Sequence, residues 1–233
     1  MKGVSRIIGV LLLMQITGDA LLNFALLAPV FAAPGFLVNA AGHSLQVSLS
    51  ALLGLAMGMF SVGIAITVFR VFSQYSHAMA LWFVALAIVS LSLTAVENIN
   101  VMSMLSLSEA YTRADVADRD VFAALRIVVA SARNWTHYMG LIVAGCTLFV
   151  FYSVLFRFAL VPRALAAFGL GAVVLQIIAV AMPLFGQSIV FLMLMPLGLV
   201  QMALALWLIA KGFASSEGIH SSGAGLAGDA ERQ

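Results

Sequence analysis

The chain has 233 residues, of which 64% are apolar and only 9% carry a charge, against about 25% in an ordinary soluble domain. Too little charge is left to wet a globular surface, which excludes a soluble enzyme, a disordered polar chain and a nucleic-acid binder. The formal net charge of +2 is too small to name a charged partner.

Six apolar runs, residues 6–32, 45–69, 78–104, 135–158, 164–185 and 188–209, are each long enough to cross a hydrocarbon core about 30 Å thick. None alternates as barrel strands do, and a helix satisfies its own backbone in lipid. The expected fold is all-α: a polytopic integral membrane protein, a bundle of six transmembrane helices over residues 1–213, with a disordered Ser/Gly/Ala-rich cytoplasmic tail over 214–233. Its first partner is therefore the lipid bilayer.

The first run opens on Lys2 and Arg6, and Val30-Phe31-Ala32 resembles a signal-peptide cleavage site. It is about twice as long as a signal-peptide core and contains Gln15 and Asp19, so it is read as a retained span. Gln15, Asp19 and Asn23 recur every four residues and share one helical stripe. In the second run Ser50, Gly54 and Gly58 have the same spacing, which permits close helix packing within the chain or against a second subunit. The third run places Ser90, Thr94 and Glu97 on one narrow face, flanked by Asn98 and Asn100.

The third loop, residues 105–134, is the long outer one. Thr112 and Asp115 have the form of a helix N-cap with an acid at its third position. Val121, Phe122, Leu125, Val128, Val129 and Ala132 then follow helical spacing, with Arg119, Arg126 and Arg133 on another face. This predicts an amphipathic helix that lies along the interface or continues into the fourth span. His137 opens that span, one turn after Arg133. In the sixth span Pro196 is expected to kink the helix as a hinge, with Gln201 just over a turn later. Trp82, Trp135 and Trp207 lie toward span ends, as interfacial anchors do.

With both termini inside, Lys2, Arg6, Arg70, Arg157, Arg163, Lys211 and Arg232 fall on the cytoplasmic side. Arg113, Arg119, Arg126 and Arg133 fall outside, offset by Glu109, Asp115, Asp118 and Asp120. Seven against four favours this orientation.

Polar groups in hydrocarbon need a reason, since a central Asp costs about 2.5 to 3.5 kcal/mol to insert. Asp19 and Glu97 fall at a similar depth in this topology, with Gln15, Asn23, Asn98, Arg133 and His137 nearby. If spans one, three and four are neighbours, these groups converge on an outward-facing polar pocket. Such a pocket suits binding or transport of a small molecule or ion. It also suits general acid and base chemistry on a lipid or isoprenoid-like substrate, or ion pairs that only hold the helices together. A third role is that of a membrane subunit supporting a partner complex through span two. Cys146 is the single cysteine, and the four His form no metal-binding motif, so no cofactor or metal is expected.

The stretch YSVLFRFALVPRALAAFGLGAVV, in which a span ends in the turn Arg157-x4-Pro162-Arg163, and the ending LVQMALALWLIAKGF, with Trp207-Leu208-x2-Lys211-Gly212, are the most specific features. With the opening RIIGVLLLMQITGDALLNF they resemble a bacterial six-span family known as domain of unknown function 4386, over residues 4–213. The resemblance implies a bacterial inner-membrane location and six helices. It implies no activity and carries over no catalytic residue. Where such proteins carry an Arg, a Glu and a late acid, this chain has Val84, Ala87 and Gln201.

Overall fold

A computed structural model describes residues 2–115 and 119–214; the expected tail, save Ala214, lies outside these, as does Asp118. The described residues are helical throughout their spans and contain no strand. Helix α1 covers Lys2–Ala20 and runs through a π-helical segment, Leu21–Leu27, into the short α2, Ala28–Phe31. Next come α3 (Phe36–Gly42), α4 (Ser44–Phe72), α5 (His77–Arg113) and α6 (Arg119–Arg157). The chain ends with α7 (Arg163–Ala181), two 3-10 turns at Met182–Phe185 and Phe191–Met193, and α8 (Met195–Ala210). Six of these stretches are long and apolar enough to cross a membrane, in agreement with the six runs in the sequence.

The spans form a ring in chain order. Each packs on the next, and α1 closes the ring against α8. Small residues set the close approaches. A Cβ added at Gly9 would stand 2.8 Å from the Ala205 carbonyl of α8 and 2.8 Å from Ile209 Cγ1. At Gly54 it would meet Asn98 Oδ1 at 2.9 Å, and at Gly58 it would meet Leu91 Cδ1 at 2.7 Å. The Ser50-Gly54-Gly58 face is therefore buried against α5 of the same chain, and it is not the free surface that a partner subunit would use. Inside the ring, Phe72, Phe83, Phe151 and Tyr152 form an aromatic core, with Phe83 and Phe151 stacked at 5.5 Å.

Gly169 of α7 lies so close to the Tyr152 ring of α6 that any added Cβ would overlap it. Tyr152 is fully buried, so the ring has no solvent-side rotamer to take. Gly169→Ala should therefore lower unfolding stability by roughly 1–3 kcal/mol through overpacking, read as a fall in the thermal unfolding midpoint of the detergent-solubilised protein. An unchanged midpoint would mean that α6 and α7 do not touch here.

Helices α5 and α6 have 37 and 39 residues, or about 55 and 58 Å at 1.5 Å per residue. Both exceed the membrane. Eighteen residues separate Trp82 from Asn100, which bonds Thr136 beside Trp135; that is about 27 Å, close to the hydrocarbon thickness of about 30 Å. The far ends of α5 and α6 thus extend past the membrane boundary as a helical hairpin. The amphipathic stretch 119–134 is the first part of α6, so the alternative of a helix continuing into span four is the one that forms.

Two expectations need correction. Thr112 does not cap a new helix: α5 runs on to Arg113, and Thr112 Oγ1 donates to the Glu109 carbonyl one turn back. Pro196 does not interrupt span six: it stands in the first turn of α8, where the missing N–H has no intrahelical partner to lose. The loop between spans one and two contains the helix α3. Ser108 Oγ donates to the Leu37 carbonyl and accepts from Ala41 N–H, both at 2.9 Å, which fixes α3 on α5.

Candidate functional site

The candidate residues fall into three places. The first is an ion cluster near the far membrane boundary. Glu97 comes from α5, while Arg133 and His137, four residues apart, share one face of α6. Arg133 Nη2 and His137 Nδ1 each stand 2.9 Å from Glu97 Oε1. A carboxylate only accepts, so both nitrogens donate to the one oxygen. The side chains are 20% exposed for Glu97, 13% for Arg133 and 29% for His137, so solvent screening is weak. The Arg133 guanidinium also lies 5.1 Å from the centroid of Phe31, which brings the end of span one against the cluster. One turn along, Asn100 Nδ2 donates to Thr136 Oγ1 at 3.0 Å.

Asp19 does not join this cluster. Span one packs chiefly on α4 and α8, so the assumption that spans one, three and four are mutual neighbours does not hold. Gly18 faces Met57 of α4 at close range. Asp19 is exposed, and its carboxylate makes no hydrogen bond or ion pair among the described residues. Asn23 Nδ2 donates to the Asp19 backbone carbonyl at 2.9 Å, within the turn that opens the π-helical segment. An acid–base set needing Asp19, Glu97 and His137 in contact is not assembled.

The second place is the centre of the ring. Gln15 of α1, Ser61 of α4, Ser90 of α5, Thr147 of α6 and Gln201 of α8 line one cavity of about 100 Å³. Gln15 Nε2 donates to Ser61 Oγ at 2.7 Å, and Ser61 Oγ donates to the Met57 carbonyl at 3.2 Å. Thr147 Oγ1 donates to the Val143 carbonyl at 2.9 Å. Phe83 and Phe151 supply apolar wall. The lining carries no charge, so it offers amide and hydroxyl donors and acceptors in a low-dielectric interior. Of these residues only Gln15 belonged to the sequence-derived pocket. The signal for the others was depth: Ser61, Ser90, Thr147 and Gln201 all lie about 14–20 Å from the basic ends of their helices.

The third place is an open, mainly apolar groove of about 1110 Å³ where α4 and α5 meet the first part of α6. Asn98 borders it. Its Nδ2 is buried without a hydrogen-bond partner among the described residues. Ser103 and Ser106 also line the groove, but their hydroxyls are tied back to the Ile99 and Met102 carbonyls. His43 stays local, its Nδ1 2.9 Å from the Asn39 carbonyl. Among the described residues no three His, Cys, Asp or Glu side chains stand close enough to share a metal ion.

Comparison with known proteins adds the family alone. The family described as domain of unknown function (DUF4386) matches residues 7–212, and the chain belongs to it. No curated protein and no solved structure matches.

Proposed function

We propose that this member of the DUF4386 family binds a small polar molecule or ion at the centre of its six-helix ring and passes it across a bacterial inner membrane, with both termini cytoplasmic. The observation that carries the reading is the convergence of polar side chains from five of the six spans on one mid-membrane cavity. Polar groups are expensive at that depth, and five spans supplying them to one point is what a solute pathway requires. The amides of Gln15 and Gln201 can turn donor or acceptor toward a guest, and the three hydroxyls complete a neutral lining. Nearer the far boundary, the Glu97–Arg133–His137 cluster ties α5 to α6. The orientation rests on the excess of Arg and Lys at the other end.

The test is solute flux in proteoliposomes. Stopped-flow light scattering after a jump in urea or glycerol, and a dye assay for monovalent cations, should show faster entry than in protein-free vesicles. Ser90→Leu, which fills the cavity from α5, should return the rate to the protein-free value while the thermal unfolding midpoint stays near that of the unaltered chain. If no probe enters faster than in empty vesicles, or if Ser90→Leu leaves entry unchanged, the reading is wrong.

A further inference from the structure

The basic end of the bundle contains a second constellation, independent of the central cavity. Arg6 of α1 and Lys211, just past α8, line a hollow of about 160 Å³ with Ala210 and Gly212. Lys211 also borders an adjoining hollow of about 420 Å³, which is walled by Leu160, Val161, Trp207 and Phe213 and edged by Arg163. The floor between them is built, not loose. Ala214 N–H donates to the Leu160 carbonyl at 2.9 Å, which clips the chain after span six onto the turn between spans four and five. Ala159 and Gly212 take positive φ, 48° and 79°, to make the two bends that meet there.

Among the described residues the charge at this end has one sign. Arg6, Arg163 and Lys211 have no acidic partner among the described residues, whose acids lie in mid-span or at the far end. The first turn of α7 adds to it. Pro162 at the N-cap contributes no side-chain hydrogen bond, so the amides that open this 19-residue helix remain available beside Arg163. A polar, cationic hollow joined to an apolar one, at the depth of a lipid headgroup, matches an amphiphile with a negative head.

We propose that these joined hollows form a site for one anionic phospholipid. Its phosphate sits at Lys211, between Arg6 on one side and Arg163 with the first-turn amides of α7 on the other. Its glycerol and upper acyl chain lie along Trp207, Leu160 and Phe213.

Native mass spectrometry of the full chain, released from neutral detergent after incubation with phosphatidylglycerol or phosphatidylcholine, tests this. The unaltered chain should retain phosphatidylglycerol in preference to phosphatidylcholine. The double substitution Arg6→Gln, Lys211→Gln should weaken that retention roughly thirtyfold without changing retention of phosphatidylcholine. Arg6→Lys should keep the preference, because it keeps the charge. Equal retention of the two lipids by the unaltered chain would overturn the proposal, as would a preference that survives the double substitution. Two further arms identify rival occupants. Displacement of the lipid by millimolar sn-glycerol 3-phosphate would make this a phosphate site and not a lipid site. A preference that emerges only after residues 215–233 are deleted would make the chain's own tail the occupant. Either result overturns the assignment.

Discussion

Glu97→Gln is expected to lower the unfolding free energy by about 3 kcal/mol, read as a lower midpoint in thermal or SDS unfolding of the detergent-solubilised protein. The loss does not come from one missing hydrogen bond. Glu97 Oε1 accepts from both Arg133 and His137 at 2.9 Å, and the Arg133 side chain is only 13% exposed. With the carboxylate neutralised, the guanidinium keeps its charge and loses its counter-ion at the membrane boundary. Phe31, 5.1 Å away, offers only its ring face in return. Arg133→Gln alone should cost less, because His137 remains to partner Glu97. The double substitution Glu97→Gln, Arg133→Gln should cost less than the sum of the singles, since neither charge is then stranded. Additive losses would show that the two side chains do not interact.

How much of this was legible in the sequence follows from what each pattern encodes. Hydropathy encodes membrane crossing, and the six runs became six spans. Spacing along one helix encodes a shared face, which is why Arg133 and His137 reach the same oxygen. It does not encode which way that face turns. Gln15, Asp19 and Asn23 share a stripe as expected, but only Gln15 meets the central cavity, and Gly18 against Met57 and Gly9 against Ala205 fix how span one sits. That placement depends in part on a contact with α8, nearly two hundred residues along the chain. The Thr112–Asp115 pattern misled for a different reason. A Thr can bond back to its own helix as readily as it can cap the next one, and the local letters do not distinguish the two. Hydropathy extends span six back to residue 188 and cannot show that the helix begins at Met195, which puts Pro196 in its first turn. Ser61 and Thr147 carry no local signal, since single hydroxyls are common in membrane helices. Only the closed ring brings them to the same cavity.

Asp19→Leu provides the opposite case to Glu97. Asp19 is exposed and has no side-chain partner among the described residues. Removing it therefore strands nothing, and the unfolding free energy should stay within about 0.5 kcal/mol of the unaltered chain. The effect should fall on membrane insertion instead. An aspartate near the middle of a span costs about 2.5 to 3.5 kcal/mol to place in the bilayer, whereas leucine is slightly favourable. In a translocon glycosylation assay, the Asp19→Leu substitution should accordingly favour insertion of the segment 1–32 by about 3 kcal/mol. The two acids thus separate two free energies that are easily confused, since Glu97 acts on helix–helix association and Asp19 on the partition of one helix into lipid. A fall in the unfolding midpoint of Asp19→Leu comparable to that of Glu97→Gln would show that Asp19 is held inside the bundle. The exposure of Asp19 and its lack of a side-chain partner would then be wrong.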